Sequence, residues 1–215
     1  MQHPDVIFFD AVGTLFGVRG SVGQIYSDLA RKLGVEADPD ALDADFVRAF
    51  RAAPPCAFPG VLPEALPRHE YLWWRDVARA TFTANGTIAQ FDDFDARFVS
   101  LFDYFATPAA WFLYPDVLPA LERWRDRGVA LGIVSNFDAR LHAVLEALEL
   151  KPLFSSITSS SEVGAAKPDP RIFAAALASQ QVTPDRAWHV GDSYREDYLG
   201  ARAAGLRAYW LQRES

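Results

Sequence analysis

Residues 129–136 read VALGIVSN, a short run of apolar and β-branched side chains that ends in a polar pair. Such a run is typical of a buried strand. The next segment, residues 138–148, has leucine or valine at positions 141, 144, 145 and 148, which is the spacing of one helix face. A strand followed at once by an amphipathic helix is half of a βαβ unit, so this stretch predicts a parallel α/β fold.

The same alternation extends in both directions along the chain. The strands predicted besides 129–136 are residues 6–10, 156–159, 187–192 and 207–211. Between them, residues 168–179 and 195–204 have helical patterns, the second ended by Gly205. Because the strands are almost continuously apolar, we expect a Rossmann-like parallel sheet covered by helices on both faces.

The middle of the chain has a different pattern. Helical periodicity occurs at residues 22–33, 40–52, 70–82 and 92–105, and no strand is predicted between 17 and 107. This segment is rich in phenylalanine, tyrosine and tryptophan, which is typical of a packed helical bundle or of rings that line a ligand pocket. We therefore predict a core of residues 1–16 and 108–215, interrupted by a helical cap of residues 17–107.

Composition excludes several classes of protein. The 215 residues carry a formal net charge of −7, so the chain has no basic footprint for nucleic acid or an anionic membrane. One cysteine excludes an internal disulfide, and the four histidines lack zinc-ligand spacing. The opening residues resemble neither a signal peptide nor a membrane span. We expect a cytoplasmic protein, a monomer or homodimer, that acts on a small molecule.

Polar side chains collect where the predicted strands end. In an open parallel sheet, ligands bind beyond the carboxyl ends of the strands. The polar residues at these ends or in the loops that follow are Asp10, Thr14, Ser135, Asn136, Lys167, Asp192 and Asp197. Two neighbours are better explained structurally, His189 as a core histidine in an apolar strand and Ser193 as a helix N-cap. The recurrence at several strand ends predicts one shared site.

These motifs carry a resemblance to a known family. In order along the chain they read FFDAVGTLF (8–16), GIVSN (132–136), GAAKPDPRIF (164–173) and HVGDSYRED (189–197). The sequence resembles the haloacid dehalogenase-like hydrolase superfamily, in the subfamily with a helical cap inserted after the first motif. The segment YPDVLPALE (114–122) is also similar to this subfamily. The residues of these motifs most resemble the uncharacterised dehalogenase-like branch of this superfamily.

The resemblance implies a role for each motif. Asp10 would be the nucleophile, attacking phosphorus to form an aspartyl-phosphate, and the nearby Gly13 permits the sharp turn that exposes it. Thr14 and Ser135 would offer hydroxyls to the phosphoryl oxygens, as would the N–H groups of the loop. Asn136 belongs to the same catalytic set, and Lys167 would neutralise charge between Asp10 and the phosphoryl group.

The resemblance also implies a Mg²⁺ cofactor. Asp10, Asp192 and the main-chain carbonyl of Val12 would bind the ion, and Asp197 would anchor the ion or its waters. Magnesium prefers one or two carboxylates together with substrate oxygens and retained waters, so the residue types are suitable. Without a cation, these aspartates would raise one another's pKa.

The sequence departs from the phosphatase pattern at Val12. Phosphatases of this family usually carry a second aspartate there, which protonates the leaving alkoxide and later activates water. General acid–base catalysis contributes about 10²–10⁴-fold, so an ordinary alkyl phosphate would be a poor substrate. A good leaving group would suffer less, or the cap could supply Glu64, His69 or Glu70 instead.

Three alternatives remain open. The first is a 2-haloacid dehalogenase, an enzyme that also lacks that aspartate and would form an aspartyl ester on Asp10. The SN pair and the KPDPRIF segment of this chain resemble those enzymes. Such an enzyme would also need a cap arginine, for which Arg48 and Arg51 are the candidates. A phosphonatase would need a cap lysine, for which Lys32 is the candidate. A catalytically weak binding or scaffold module would use the aromatic cap as its contact surface. The acids of the fourth motif favour the metal-dependent phosphohydrolase.

Overall fold

A five-stranded parallel sheet organises the chain. The computed structural model describes residues 3–213. The sheet has the order β5-β4-β1-β6-β7, and every neighbouring pair in it is parallel. The strands of this sheet are β1 (Val6–Phe9), β4 (Ala130–Ser135), β5 (Ser156–Ser159), β6 (Ala187–Gly191) and β7 (Arg207–Trp210), and the remaining two strands are β2 (Phe16–Val18) and β3 (Trp111–Leu113). The predicted parallel α/β core is confirmed.

Nine α-helices accompany the strands within the described residues. Four lie between β2 and β3: α1 (Val22–Arg31), α2 (Pro39–Ala52), α3 (Leu66–Ala84) and α4 (Phe94–Tyr104). The other five are α5 (Val117–Arg125), α6 (Arg140–Ala147), α7 (Ser160–Val163), α8 (Pro170–Gln180) and α9 (Gly200–Ala203). No helix within residues 3–213 combines the length and the apolar character needed to cross a membrane.

The central strand β1 is buried on both faces. Alternate side chains point to opposite faces of a strand. Ile7 and Phe9 accordingly join one apolar cluster, whereas Val6 and Phe8 join another. Phe8 lies beside Gly132 of β4, and a Cβ at that glycine would lie 2.6 Å from the Phe8 ring. The close packing around β1 fixes the position of the residue that follows it, Asp10.

Helices α1–α4, called here the helical insertion, pack around their own aromatic cluster. Tyr26, Phe82, Phe94 and Phe98 are buried in it, with most ring pairs edge-to-face. Helices α1 and α2 cross closely at Gly23, where a Cβ would lie 2.1 Å from the carbonyl oxygen of Pro39. The clustering of aromatic residues noted in the sequence therefore includes a packed interior, and part of it faces a cavity described below.

Two local structures differ from the sequence prediction. Residues Phe16–Val18 form β2 and pair antiparallel with β3, although no strand was expected between 17 and 107. Each strand has only three residues, which is too short for alternation to be recognised. The predicted helix 195–204 begins instead as a π-helical turn, Tyr194–Leu199, and continues as α9. This wider turn places Asp197 in a buried position against Gly191.

Candidate active site

Three adjacent strands and one loop bring the predicted polar residues together. Strand β1 lies between β4 and β6, so the residues at their carboxyl ends share one edge of the sheet. Asp10 follows β1, Ser135 ends β4, and Asp192 follows β6. Lys167 comes from the loop between α7 and α8. All four side chains lie at the carboxyl edge, where ligands bind in sheets of this kind.

Asp10 is held by two donors. One of its carboxylate oxygens, Oδ1, accepts a hydrogen bond from Lys167 Nζ at 2.6 Å and another from Ser135 Oγ at 3.1 Å. Its backbone N–H donates to the carbonyl oxygen of Val190 at 2.9 Å. Burial raises the pKa of Asp10, against the opposing charge of Lys167. The carboxylate is thus oriented by charge-assisted hydrogen bonds rather than by solvent.

Lys167 is buried between two carboxylates. Its Nζ donates to Asp10 Oδ1 and to Asp197 Oδ1, each at 2.6 Å, and the residue is only 4% exposed. Burial alone would lower the pKa of Lys167, but the charges of Asp10 and Asp197 outweigh burial and raise it. Burial likewise opposes ionisation of Asp197, yet Lys167 and His189 hold the pKa of Asp197 far below its usual range. The lysine is therefore a permanent cation in the site.

Three carboxylates converge at the same place. Oxygen atoms of Asp10, Asp192 and Asp197 lie within 4.8 Å of one another. Partial burial, together with the charges of Asp10 and Asp197, raises the pKa of Asp192 to about 6. A Cβ at Gly13 would lie 2.4 Å from Asp192 Oδ2, and Gly13 has φ +85°, so this turn requires glycine. Such a carboxylate cluster is suited to a hard divalent cation such as Mg²⁺.

The oxygens of Asp197 already have several donors. Its Oδ1 accepts from Lys167 and contacts His189 Nε2 at 2.8 Å, and its Oδ2 accepts from the N–H of Ser193 at 2.9 Å. Asp192 is exposed and lies 3.4 Å from Thr14 Oγ1. Asp192 is therefore the more accessible of the two carboxylates, and Asp197 is better placed to orient Lys167.

The loop after β1 uses some of its own amides. The N–H of Gly13 donates to the carbonyl oxygen of Phe16 at 2.8 Å, and the N–H of Thr14 donates to that of Ala11 at 3.3 Å. The N–H groups of Leu15 and Phe16 also donate to the carbonyl oxygen of Ala11, so most amides of this loop are already engaged within the protein. The carbonyl oxygen of Thr14 accepts from Arg213, which anchors the loop from the far end of the chain.

Asn136 contacts the backbone of Lys167 rather than Asp10. Its Oδ1 accepts from the N–H of Lys167 at 2.7 Å, and its Nδ2 donates to the carbonyl oxygen of Lys167 at 3.0 Å. The same Nδ2 group donates to Glu196 Oε2 at 3.0 Å. Asn136 therefore fixes the lysine loop, which is a positioning contact. The sequence analysis did not predict a role for Glu196, because the acid assigned to this motif was its neighbour Asp197.

His189 and Ser193 lie where the sequence predicted, and His189 has an additional contact. Ser193 accepts from the N–H of Glu196 as a helix N-cap. His189 is fully buried, and its Nε2 lies 2.8 Å from Asp197 Oδ1. Burial lowers the pKa of His189. The contact could have been suspected from the sequence, because a histidine in an apolar strand lies eight residues before an acid of the same motif.

The sequence analysis offered cap residues for the missing acid, for a cap lysine and for a cap arginine. The structure does not place these residues at the carboxylate cluster. Glu64, His69 and Lys32 are exposed, and Arg48 forms an ion pair with Asp45 on the surface of α2, where Arg51 is also exposed. Glu70 is buried, but its Oε1 accepts from the N–H of Ala139 at 3.0 Å at the start of α6. None of these side chains is among the hydrogen-bond or ion-pair partners of Asp10, and the residue two positions after Asp10 is the apolar Val12.

A parallel α/β sheet with a carboxylate cluster and a buried lysine at its carboxyl edge is a candidate enzyme site. Sequence comparison identifies the family. The family model for haloacid dehalogenase-like hydrolases matches residues 4–205. The haloacid dehalogenase-like hydrolase domain-containing protein 3 of Bos taurus is 36% identical over 210 residues, covering 95% of this chain and 80% of that protein. The chain therefore belongs to the haloacid dehalogenase-like hydrolases.

Solved structures agree with this fold. A phosphatase of the same superfamily from Thermococcus onnurineus is 26% identical, with a TM-score of 0.64 over 97% of this chain and 86% of that one. The L-2-haloacid dehalogenase from Xanthobacter autotrophicus is 19% identical, with a TM-score of 0.68 over 99% of this chain and 79% of that one. The second likeness concerns the fold alone.

Proposed function

We propose that this chain is a Mg²⁺-dependent phosphohydrolase that uses Asp10 as its nucleophile. The observation that carries the proposal is the convergence of three carboxylates within 4.8 Å beside a buried lysine. When all are ionised, three carboxylates and one ammonium have a net charge of −2, which one divalent cation balances. Without a metal ion, the single ammonium of Lys167 offsets only part of the charge of these three acids.

The metal would be held by Asp10, Asp192 and the main-chain carbonyl of Val12, with Asp197 orienting a bound water. When bound, Mg²⁺ supplies positive charge that offsets the repulsion between the Asp10 carboxylate and a phosphoryl group. The residues present fit this ion, because the donors are oxygens and Asp192 is accessible.

The reaction proceeds in two displacements on phosphorus. A carboxylate oxygen of Asp10 attacks phosphorus, the bond from phosphorus to the leaving oxygen breaks, and the leaving group takes the electron pair. Water then attacks the aspartyl-phosphate, which releases inorganic phosphate and restores Asp10. Lys167 favours the ionised form of Asp10, orients its carboxylate and offsets charge on the phosphoryl group.

The hydroxyls and the amide have supporting roles. Ser135 and Thr14 lie beside Asp10 and Asp192 respectively, where hydroxyl groups can donate to phosphoryl oxygens. Asn136 positions Lys167 through its backbone. The helical insertion acts as a cap, which we assign to residues 17–107, and its closure excludes water while the acyl-phosphate exists.

A second candidate reaction is dehalogenation of a 2-haloacid. It is favoured by Val12, because a halide leaves without a proton and needs no acid at that position. Asp10 would attack carbon, the carbon–halogen bond would break, and hydrolysis of the resulting ester would restore Asp10. The candidate arginines for the substrate carboxylate, Arg48 and Arg51, are exposed on α2, so the phosphohydrolase is the better supported reaction.

One comparison separates the two reactions. We expect p-nitrophenyl phosphate to release nitrophenol in a reaction that EDTA stops and Mg²⁺ restores, and 2-chloropropionate to release no chloride. Asp10→Asn should abolish turnover, whereas Asp126→Asn, an exposed matched control, should not alter it. Chloride release that is insensitive to EDTA would establish the dehalogenase instead. Full activity of Asp10→Asn would remove the nucleophile assignment.

A further inference from the structure

A partly open cavity lies between the helical insertion and the core, beside the loop that follows Asp10. Its volume is about 250 Å³. Val12 and Asn136 line its core side, and Ser135, the neighbour of Asn136, donates to Asp10. The cavity therefore begins where the leaving group of a substrate on Asp10 would lie. The rings that line it from the insertion are Phe46, Phe50, Trp74, Phe98, Phe102 and Phe105.

The charged side chain of the lining, Arg140, and its amide side chain, Asn136, are already paired. The Arg140 guanidinium donates to both oxygens of the buried Asp138, at 2.9 Å and 2.7 Å, and to the carbonyl oxygen of Phe102 at 2.8 Å. Its carbon Cζ lies 3.8 Å from the centre of the Phe102 ring. Asn136 is occupied by Lys167 and Glu196. The lining consequently offers no unbalanced charge to a ligand, and burying an unpaired hydroxyl or carboxylate there would be unfavourable.

The cavity also has the size of a small aromatic molecule. An apolar cavity of about 150 Å³ binds benzene in another protein, so about 250 Å³ holds a substituted or fused ring. Aromatic walls favour an aromatic occupant through edge-to-face contacts. A phenol ionises with a pKa of about 10, so it leaves phosphorus with less need of a proton than an alkyl alcohol does. An aryl leaving group therefore suits both the ring-lined cavity and the missing acid at Val12.

We infer that the substrate is an aryl phosphate monoester whose aromatic leaving group, which has no charged substituent on its ring, occupies this cavity. The inference rests on the proposed phosphohydrolase function and adds the chemical class of the substrate. Asp10 would attack phosphorus, the bond between phosphorus and the aryl oxygen would break, and the phenolate would take a proton from water.

The test compares two substrates with similar leaving-group acidity. The aromatic alcohols of 4-ethylphenyl phosphate and O-phosphotyrosine are both 4-alkyl phenols, but only phosphotyrosine carries a charged ammonium and carboxylate. We expect kcat/KM for 4-ethylphenyl phosphate to be at least tenfold higher, mainly through KM. Equal values would overturn the inference.

A cavity-filling variant tests the location. Val22 lines the cavity, so Val22→Phe should lower kcat/KM for 4-ethylphenyl phosphate at least tenfold relative to that for acetyl phosphate, whose leaving group is small. Val99→Phe, on the exposed face of α4, is the matched control and should leave the ratio unchanged. An unchanged ratio in Val22→Phe, with a native circular dichroism spectrum, would overturn the location.

Binding without turnover separates this inference from the proposed function. We expect 2-naphthol to bind the wild-type protein in isothermal titration calorimetry and to quench tryptophan fluorescence, since Trp74 lines the cavity. Binding should weaken at least tenfold in Val22→Phe. If naphthol binds but no phosphate ester is hydrolysed, the reaction assigned above fails while the apolar site stands. If acetyl phosphate is hydrolysed but naphthol does not bind, the inference fails alone.

Discussion

At the scale of single residues, Lys167 determines the charge balance of the site. It is one of three lysines in the chain, and it is buried between Asp10 and Asp197. Its backbone is held by Asn136 on both the N–H and the carbonyl. A buried ammonium so placed favours the ionised form of Asp10, because its charge opposes the effect of burial, which raises the pKa of Asp10.

We expect Lys167→Met to lower both activity and stability. Removing one partner of a buried ion pair costs about 3–5 kcal/mol, because the remaining carboxylates are left uncompensated. Losing a preorganised charge should lower kcat by about 10²–10³-fold. Urea unfolding and steady-state kinetics measure the two effects. Lys151→Met, whose lysine pairs with Glu146 on the surface, should change neither, and equal behaviour of the two variants would contradict the role of Lys167.

Val12→Asp should restore the missing acid–base group. The expected result is a rise of about 10²-fold or more in kcat/KM for alkyl phosphates, because these substrates depend most on protonation of the leaving oxygen. Aryl phosphates should gain far less. The control is Val12→Asn, which has a similar shape but no proton to transfer. A similar gain in both variants would show that polarity, rather than proton transfer, was responsible.

At the scale of elements, the strands were predictable and the connections only partly so. Strands β1, β4 and β6 each have an apolar run with a polar residue at or just after the end, so the positions of Asp10, Ser135 and Asp192 followed from the sequence. The pair β2–β3 did not, because strands of three residues have too little alternation to be recognised. The contacts that Lys167, Glu196 and His189 make depend on the directions of side chains at a π-helical turn. The spacing of residues along the sequence does not give these directions.

The contact between α3 and α6 should depend on pH. Glu70 of α3 is buried, and its carboxylate accepts from the N–H of Ala139. Burial raises the pKa of Glu70, so the folded state binds its proton more tightly than the unfolded state does. The stabilising contribution of this group is therefore complete below its unfolded pKa and is lost as pH rises through its folded pKa.

Glu70→Gln consequently isolates this effect. Glutamine keeps the acceptor oxygen for Ala139 and removes the ionisation. We expect the variant to be more stable than the wild type at pH 8, with the difference shrinking towards zero near pH 4. Thermal unfolding of both proteins across this range measures it, with Glu64→Gln, at an exposed position, as the control. A difference that does not vary with pH would contradict the assignment.

At the scale of the whole molecule, the helical insertion and the core meet in a network of polar contacts. Trp74 Nε1 donates to Asp138 at 2.5 Å, and Ser160 Oγ donates to the carbonyl oxygen of Cys56 at 2.6 Å. These bonds join α3 and the loop before it to segments that follow β4 and β5. The sequence predicted an insertion, but it could not predict these contacts with the core, because each contact joins residues that are far apart in the chain.

The carboxylate cluster makes a final prediction for the folded molecule as a unit. Because the site brings Asp10, Asp192 and Asp197 together only in the folded state, Mg²⁺ should bind that state and stabilise it. At about 100 times the dissociation constant, the gain is about 2.7 kcal/mol, which for a chain of this size raises Tm by about 5–11 °C. Asp192→Asn should abolish most of the Mg²⁺-dependent shift, and Asp185→Asn, at an exposed position, should retain it. Differential scanning calorimetry with and without Mg²⁺ measures the shift in Tm. An equal shift in both variants would place the ion elsewhere. No shift in the wild type would remove the metal from the proposed mechanism.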